Sequence, residues 1–253
     1  MIFKPKVKHK FVSFLTVKKA ILFLSSLLLA PCFGFAQNKK NITDQDLVWM
    51  RYKGKKNLSE KVAVSLEIEE RAYWIPWRQH QALTRGQVYK KLGKGWTASG
   101  GFTYFLQALP EIQNESDFEN RTELRPHIGF TQKQQLNEKL QLSHRYWFEF
   151  RFREQANDGN IEYDNIRFRY KLGVSYSLTN KIDLKLFDEI HLNLGNEVVR
   201  NVFNQNRIGG GLKYQFIEKL SLEINYFNWF QQRSSGDEFF SRDIVRFTLH
   251  HKL

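Results

Sequence analysis

Over residues 166–178 every even position is apolar or aromatic, from Ile166 through Phe168, Tyr170, Leu172, Val174 and Tyr176 to Leu178, while the odd positions are basic, small or hydroxylic. Residues 146–153 keep the same parity, with Tyr146, Phe148, Phe150 and Phe152 on one face, and 220–226 repeat it with Leu220, Leu222, Ile224 and Tyr226. A period of two is the signature of β-strands, whose successive side chains point to opposite faces. These runs are roughly twice the five or six residues usual for a strand in a soluble sandwich. They are long enough to cross a bilayer at a tilt, as the strands of a transmembrane barrel do.

A turn pattern, apolar-x-x-x-apolar-x-apolar with a lysine inside it, recurs at Leu58, Leu92, Leu136, Leu178 and Phe216, at intervals of about one hairpin. Between these tight turns lie longer polar connections over 74–80, 110–117, 154–164, 195–204 and 233–238. Alternation of short and long connections is the organisation of an outer-membrane barrel. The predicted fold is all-β, a single antiparallel up-and-down transmembrane barrel of 10 to 12 strands that ends with the strand through Phe247 and Leu249. About eleven segments can be counted from Trp49, whereas bacterial single-chain barrels close with an even number. Even closure requires either a twelfth strand or a ten-stranded wall from which residues 49–52 are excluded.

Lys4, Lys6, Lys8, Lys10, Lys18 and Lys19 precede an apolar run over 20–30 and the small-residue site Gly34-Phe35-Ala36. This predicts a cleavable leader over 1–36 and a barrel domain over 37–253, since the apolar run is shorter than the ~20 residues of a spanning helix. Cys32, the only cysteine, lies in the leader behind Pro31, a poor setting for lipidation, so the processed chain has no thiol, disulfide or cysteine metal site. Of 39 basic residues six are in the leader, leaving 33 against 26 acids. The basic residues alternate with glutamates instead of forming one patch, which argues against nucleic acid. Mean hydropathy is negative and no second long apolar stretch exists, which excludes a helical membrane protein but not a barrel.

With the apolar parity facing lipid, the other parity faces the lumen. It carries Glu67, Glu69, Arg71, Glu123, Arg125, Arg145, Glu149, Arg151, Arg167, Arg169, Glu189, Arg207, Glu223 and Arg246. Unpaired charge in a narrow interior is costly, so carboxylates and guanidinium groups are expected to pair across strands as a charge network that fills the barrel. A narrow anion-favouring channel with an arginine-rich wall is the alternative. A lipid-modifying enzyme is a further one, but Ser143 and His144 are adjacent and so point to opposite faces, and Glu189 and His191 share the inward parity. Gly209-Gly210-Gly211 and Gly100-Gly101 read as bends or as room for bulky neighbours, because no helix follows as a phosphate loop requires.

The strings His144-Arg145-Tyr146-Trp147-Phe148-Glu149-Phe150-Arg151-Phe152, Arg167-Phe168-Arg169-Tyr170-Lys171-Leu172, Asp188-Glu189-Ile190-His191-Leu192-Asn193 and Asn204-Gln205-Asn206-Arg207-Ile208-Gly209-Gly210 resemble those of the domain of unknown function 2490 family. The resemblance runs from about Trp49 to the end. It implies an outer-membrane barrel of the kind common in Bacteroidetes, and no activity. Leu253 stands where barrel proteins often end in an aromatic residue read by the insertion machinery. The reading is a monomeric outer-membrane barrel, partnered by lipid and the barrel-insertion machinery, with no cofactor, metal or catalytic residue and with its outer loops the place for a ligand.

Overall fold

The computed structural model describes residues 40–196 and 198–253; the leader expected over 1–36 lies outside the described residues. Among the described residues there are eleven strands and no helix. They are β1 (Asn41–Asn57), β2 (Val62–Tyr73), β3 (Arg78–Gly93), β4 (Trp96–Leu109), β5 (Glu119–Gln135), β6 (Leu140–Glu154), β7 (Ile161–Ser177), β8 (Ile182–Leu194), β9 (Phe203–Ile217), β10 (Leu220–Gln232) and β11 (Glu238–Lys252). Each pairs with the next, and β1 and β11 close the sheet into a barrel.

The closing pair is parallel, with Val48 opposite Val245, Met50 opposite Phe247 and Tyr52 opposite Leu249. This corrects the expectation of a wholly antiparallel barrel and of an even count. Strands that alternate up and down leave the first and the eleventh pointing the same way, so an odd barrel can close only through one parallel ladder. Residues 49–52 are part of the wall, in the middle of β1. Several strands also run further than their apolar alternation, as where β7 starts at Ile161 and continues through Glu162 and Asp164. Beyond the apolar belt the ladder still satisfies the backbone, so polar residues continue it where the sequence pattern predicts loop.

The repeated turn works through its second residue. Ser59, Asn137 and Thr179 each accept, at 2.9–3.3 Å, the amide N–H groups of the lysine two residues on and of the residue after it. Such side-chain turns hold the chain reversal without glycine. In the second copy glycines do the work, with φ of 95° at Gly93 and 80° at Gly95. The carbonyls of Lys61, Lys139, Lys181 and Lys219 in turn accept an amide from the following hairpin at 2.8–2.9 Å. Every turn end is thereby stitched to its neighbour.

Over the middle of β2 to β10 the even positions face outward and are mostly apolar: Leu66, Ile68, Phe102, Ile128, Leu186 and Ile224 are all among the exposed large hydrophobic residues. There the odd positions face the interior, and at the register shift between β2 and β3 the even-numbered Arg78 and His80 turn inward as well. Gly209 is at an odd position, and a Cβ there would come within 2.3 Å of the Phe227 Cβ, so the glycine admits the aromatic residue beside it.

The seam is open to a direct check. The chain over 37–253 contains no cysteine, and in-register Cα atoms on paired strands lie within disulfide reach. The M50C/F247C pair is expected to crosslink under mild oxidation and to change mobility on a boiled gel, whereas M50C/D243C is not. Absence of the first crosslink in folded protein would refute the parallel register.

Candidate functional site

The interior charges are assembled by two local rules. Glu and Arg two residues apart on one strand share a face, which pairs Glu69 with Arg71 (2.5 Å) and Glu123 with Arg125 (2.8 Å). Residues opposite each other in register do the same between strands. Glu149 faces Arg167 across β6 and β7 and accepts both its Nε (2.9 Å) and Nη2 (2.5 Å), with Arg169 on its other oxygen at 2.7 Å. Glu189 takes Arg169 and Arg145, each at 2.7 Å; Glu67 takes Arg85 at 2.9 Å with Lys53 at 3.4 Å; Glu223 takes Lys185 at 2.6 Å and His250 at 3.0 Å. Arg151 donates to both oxygens of Glu123, at 3.0 Å to Oε2.

Of the fourteen interior positions named from the sequence, all but the half-buried Arg145 are buried. Arg207 and Arg246 have no acid within ion-pair distance among the described residues, which corrects the expectation of complete pairing. Arg246 donates to the Asn225 amide oxygen at 2.9 Å. Arg207 lies opposite Glu189 in register, but that carboxylate is already held by Arg169 and Arg145. Its guanidinium turns instead to the rings of Trp229 (4.6 Å to the centroid) and Trp49 (5.2 Å). A desolvated cation–π contact contributes about 2 kcal/mol, less than the several kcal/mol that desolvating a cation costs.

The aromatic side of this interior is not in the sequence reading. Trp49, Tyr73, Phe227 and Trp229 form an inward cluster with Leu47 and Ile244. The rings are shared by cations. Trp49 is approached by Arg71 (3.8 Å to the centroid) and Arg207 (5.2 Å), Trp229 by Arg207 (4.6 Å) and Arg242 (4.4 Å), and Phe105 by Arg125 at 3.5 Å. Some contacts cross the barrel, as His80 on β3 against Trp229 on β10, with ring centroids 6.0 Å apart. The available signal was parity, since all these aromatic residues of β1, β2, β4 and β10 sit on odd, inward positions.

At the long-loop end the connection over 110–118 dips into the barrel. Its Glu111 carboxylate receives Gln107 Nε2 at 2.8 Å and lies 3.3 Å from His80 Nε2 and 3.5 Å from Arg242 Nη2, while its carbonyl accepts Gln45 Nε2 at 2.8 Å. Residues from β1, β3, β4 and β11 thus hold one loop carboxylate. Beside this latch is a cavity of about 350 Å³, with Arg71, Arg125, Arg151, Arg167, Arg207 and Trp229 in its wall. Eight arginines and three glutamates line it in all.

The pairs considered for catalysis have other partners. The Ser143 hydroxyl donates to the Gly173 carbonyl (3.2 Å), whereas His144 meets the Tyr170 hydroxyl on the opposite face (2.9 Å). His191 stays inside with Glu189 (3.4 Å) and Gln205, and Asp188 faces outward to Asn206 (2.6 Å).

Glu149 is fully buried and neutralises two guanidinium groups, so E149Q is expected to destabilise the barrel by about 3–5 kcal/mol, read from urea titration of the folded, heat-modifiable band. The Glu111 carboxyl responds to pH. Burial pushes it up, but Arg242 and the His80 hydrogen bond outweigh this and hold it down at about 2, against an ordinary 4.5. A depressed carboxyl stabilises its contacts fully above the unfolded value and loses that stabilisation as pH falls through the folded one. Pepsin cleavage within 110–118, relative to that of an unstructured peptide at the same pH, should therefore rise as pH drops from about 4.5 toward 2, and in E111Q the relative cleavage should be high and nearly flat over that window.

No curated relative matches the chain. Among solved structures it is similar to the crystal structure of the outer membrane channel DcaP of Acinetobacter baumannii, with 10% identity and a TM-score of 0.38 over 76% of this chain and 58% of that one. The chain thus spans less than two thirds of that channel's length. The profile of the family described as protein of unknown function (DUF2490) matches residues 47–240, from the middle of β1 into β11. The chain belongs to that family.

Proposed function

We propose that this protein is a monomeric outer-membrane β-barrel whose lumen is a charged and aromatic core, closed to free flow, with a ligand-accepting vestibule at the long-loop end. The observation that carries the reading is the inversion of polarity: the exposed outer face is apolar, with Leu66, Ile68, Phe102, Ile128, Leu186 and Ile224 on it, while Glu67, Glu149 and Glu189 are buried inside. Soluble monomers rarely expose so continuous an apolar surface. Strands of 12–17 residues exceed the 9–11 or so that a tilted transmembrane strand needs. The interior contacts of His80 with Trp229 and of Arg207 with Trp49 support a blocked lumen. On this reading β11, with Phe247 and Leu249 outward, is the strand offered to the insertion machinery, and the protein is exported and not an enzyme.

A second reading, a narrow anion-favouring channel, is favoured by the excess of arginine over glutamate around the cavity. Two measurements separate these readings from each other and from a soluble β-protein. Envelope fractionation should yield a species in the outer membrane that needs detergent and changes gel mobility on boiling; extraction without detergent would overturn the barrel assignment. Purified protein in planar bilayers should give no unitary conductance steps, and anion-selective steps would favour the channel.

A further inference from the structure

We propose that the vestibule is a binding site for a small oxyanion-bearing solute, a carboxylate or phosphate, with Arg207 as the residue that receives it. The inference goes beyond the membrane assignment, since it concerns the interior whichever solvent surrounds the barrel. Arg207 is 9% exposed. It makes no hydrogen bond and no ion pair among the described residues, and its Nε is buried without a partner.

Its placement distinguishes it from the arginines around it. Arg71, Arg125, Arg151 and Arg167 each have a carboxylate, so their charge is spent within the wall. Arg207 is the one whose register partner, Glu189, is taken by other donors. Trp49 and Trp229 flank it, and Trp229 is itself fixed by donating Nε1–H to Gln205 Oε1 at 2.8 Å. A guanidinium held by packed rings is a preorganised fork, which matches the two oxygens of a carboxylate or phosphate. The cavity it faces is of small-molecule size. The latch shows the same chemistry nearby, where the Glu111 carboxylate is received by an arginine, a histidine and a glutamine.

The test uses the full barrel folded in detergent, with inorganic phosphate and acetate as probes. Trp49 and Trp229 beside Arg207 give the readout. Either probe should produce a saturable change in tryptophan fluorescence and raise the melting temperature of the wild type. R207Q, with the heat-modifiable fold retained, should bind at least tenfold more weakly, and neither probe should move its melting temperature. Its own melting temperature without probe should equal or exceed that of the wild type, because a buried unpaired cation has been removed. R207K keeps the charge but loses the fork, and should fall between the two; it also serves if R207Q does not fold. K181Q removes an exposed charge from the turn between β7 and β8, at the other end of the barrel, and should change affinity less than twofold. Equal losses in R207Q and K181Q would mean a diffuse field with no site. That result, or an absence of saturable binding to folded wild type, would overturn the proposal. Neither outcome bears on detergent extraction, so failure here and failure of the membrane assignment are separable.

Discussion

Burying Glu149 commits much of the interior. A carboxylate withdrawn from water inside a sealed wall has to be neutralised by groups that the wall itself supplies, and the β6–β7 register puts Arg167 opposite it with Arg169 one pleat away. Arg169 reaches on to Glu189, and Glu189 to Arg145, so the compensation runs across three strands as a chain of shared donors. A slip of one residue in that register would turn all of these charges outward and the phenylalanines of β6 and β7 inward. The ion pairs therefore specify register at least as much as they stabilise the fold.

The odd strand count shows what such a chain tolerates. Parallel pairing is slightly weaker per residue than antiparallel, yet β1 and β11 are in register from Asn41 to Lys55. The inward side chains next to the seam help to hold it. Arg242 on β11 donates to Gln45 on β1 at 2.7 Å, and Arg51 on β1 donates to Thr248 on β11 at 3.1 Å. Trp49, Phe227 and Ile244 pack across the same junction from three strands.

Parity and turns made the fold readable from the chain. The period of two in 166–178 assigns inside and outside correctly residue by residue, and the turn motif marks the turn end of every hairpin. The closing direction was not readable, since it depends on whether one weakly patterned segment, β1, counts as wall; Asp44 and Asp46 on its outward face break the apolar alternation there. The interior was half readable. Charge alternation names the residues of the network, but which guanidinium each carboxylate takes depends on three-dimensional competition, and Arg207 loses Glu189 to Arg169 and Arg145 for that reason. Glu111 carried no signal at all, because a loop without periodicity says nothing about whether it folds back into a barrel.

The two ends of the interior are both cation-rich but differ in kind. Toward the turns the cations are lysines, with Lys171 over the Phe187 ring at 3.7 Å and Lys185 paired with Glu223, and exposed lysines lie in the turns themselves. Toward the long loops they are arginines set against indole and phenyl faces, Arg71 and Arg125 with a carboxylate and Arg207 without one. Lysine is a hydrated, mobile point charge, whereas stacked arginine is a fixed fork. The lysine end can attract anions without distinguishing among them, and the arginine end can recognise a shape. Between them the Glu149 and Glu189 carboxylates are held by Arg145, Arg167 and Arg169 as a layer of paired charge. A solute in the proposed vestibule would lie against Arg207 above a layer of paired charges and packed rings, which is the arrangement of a site with a floor more than of a path through the barrel.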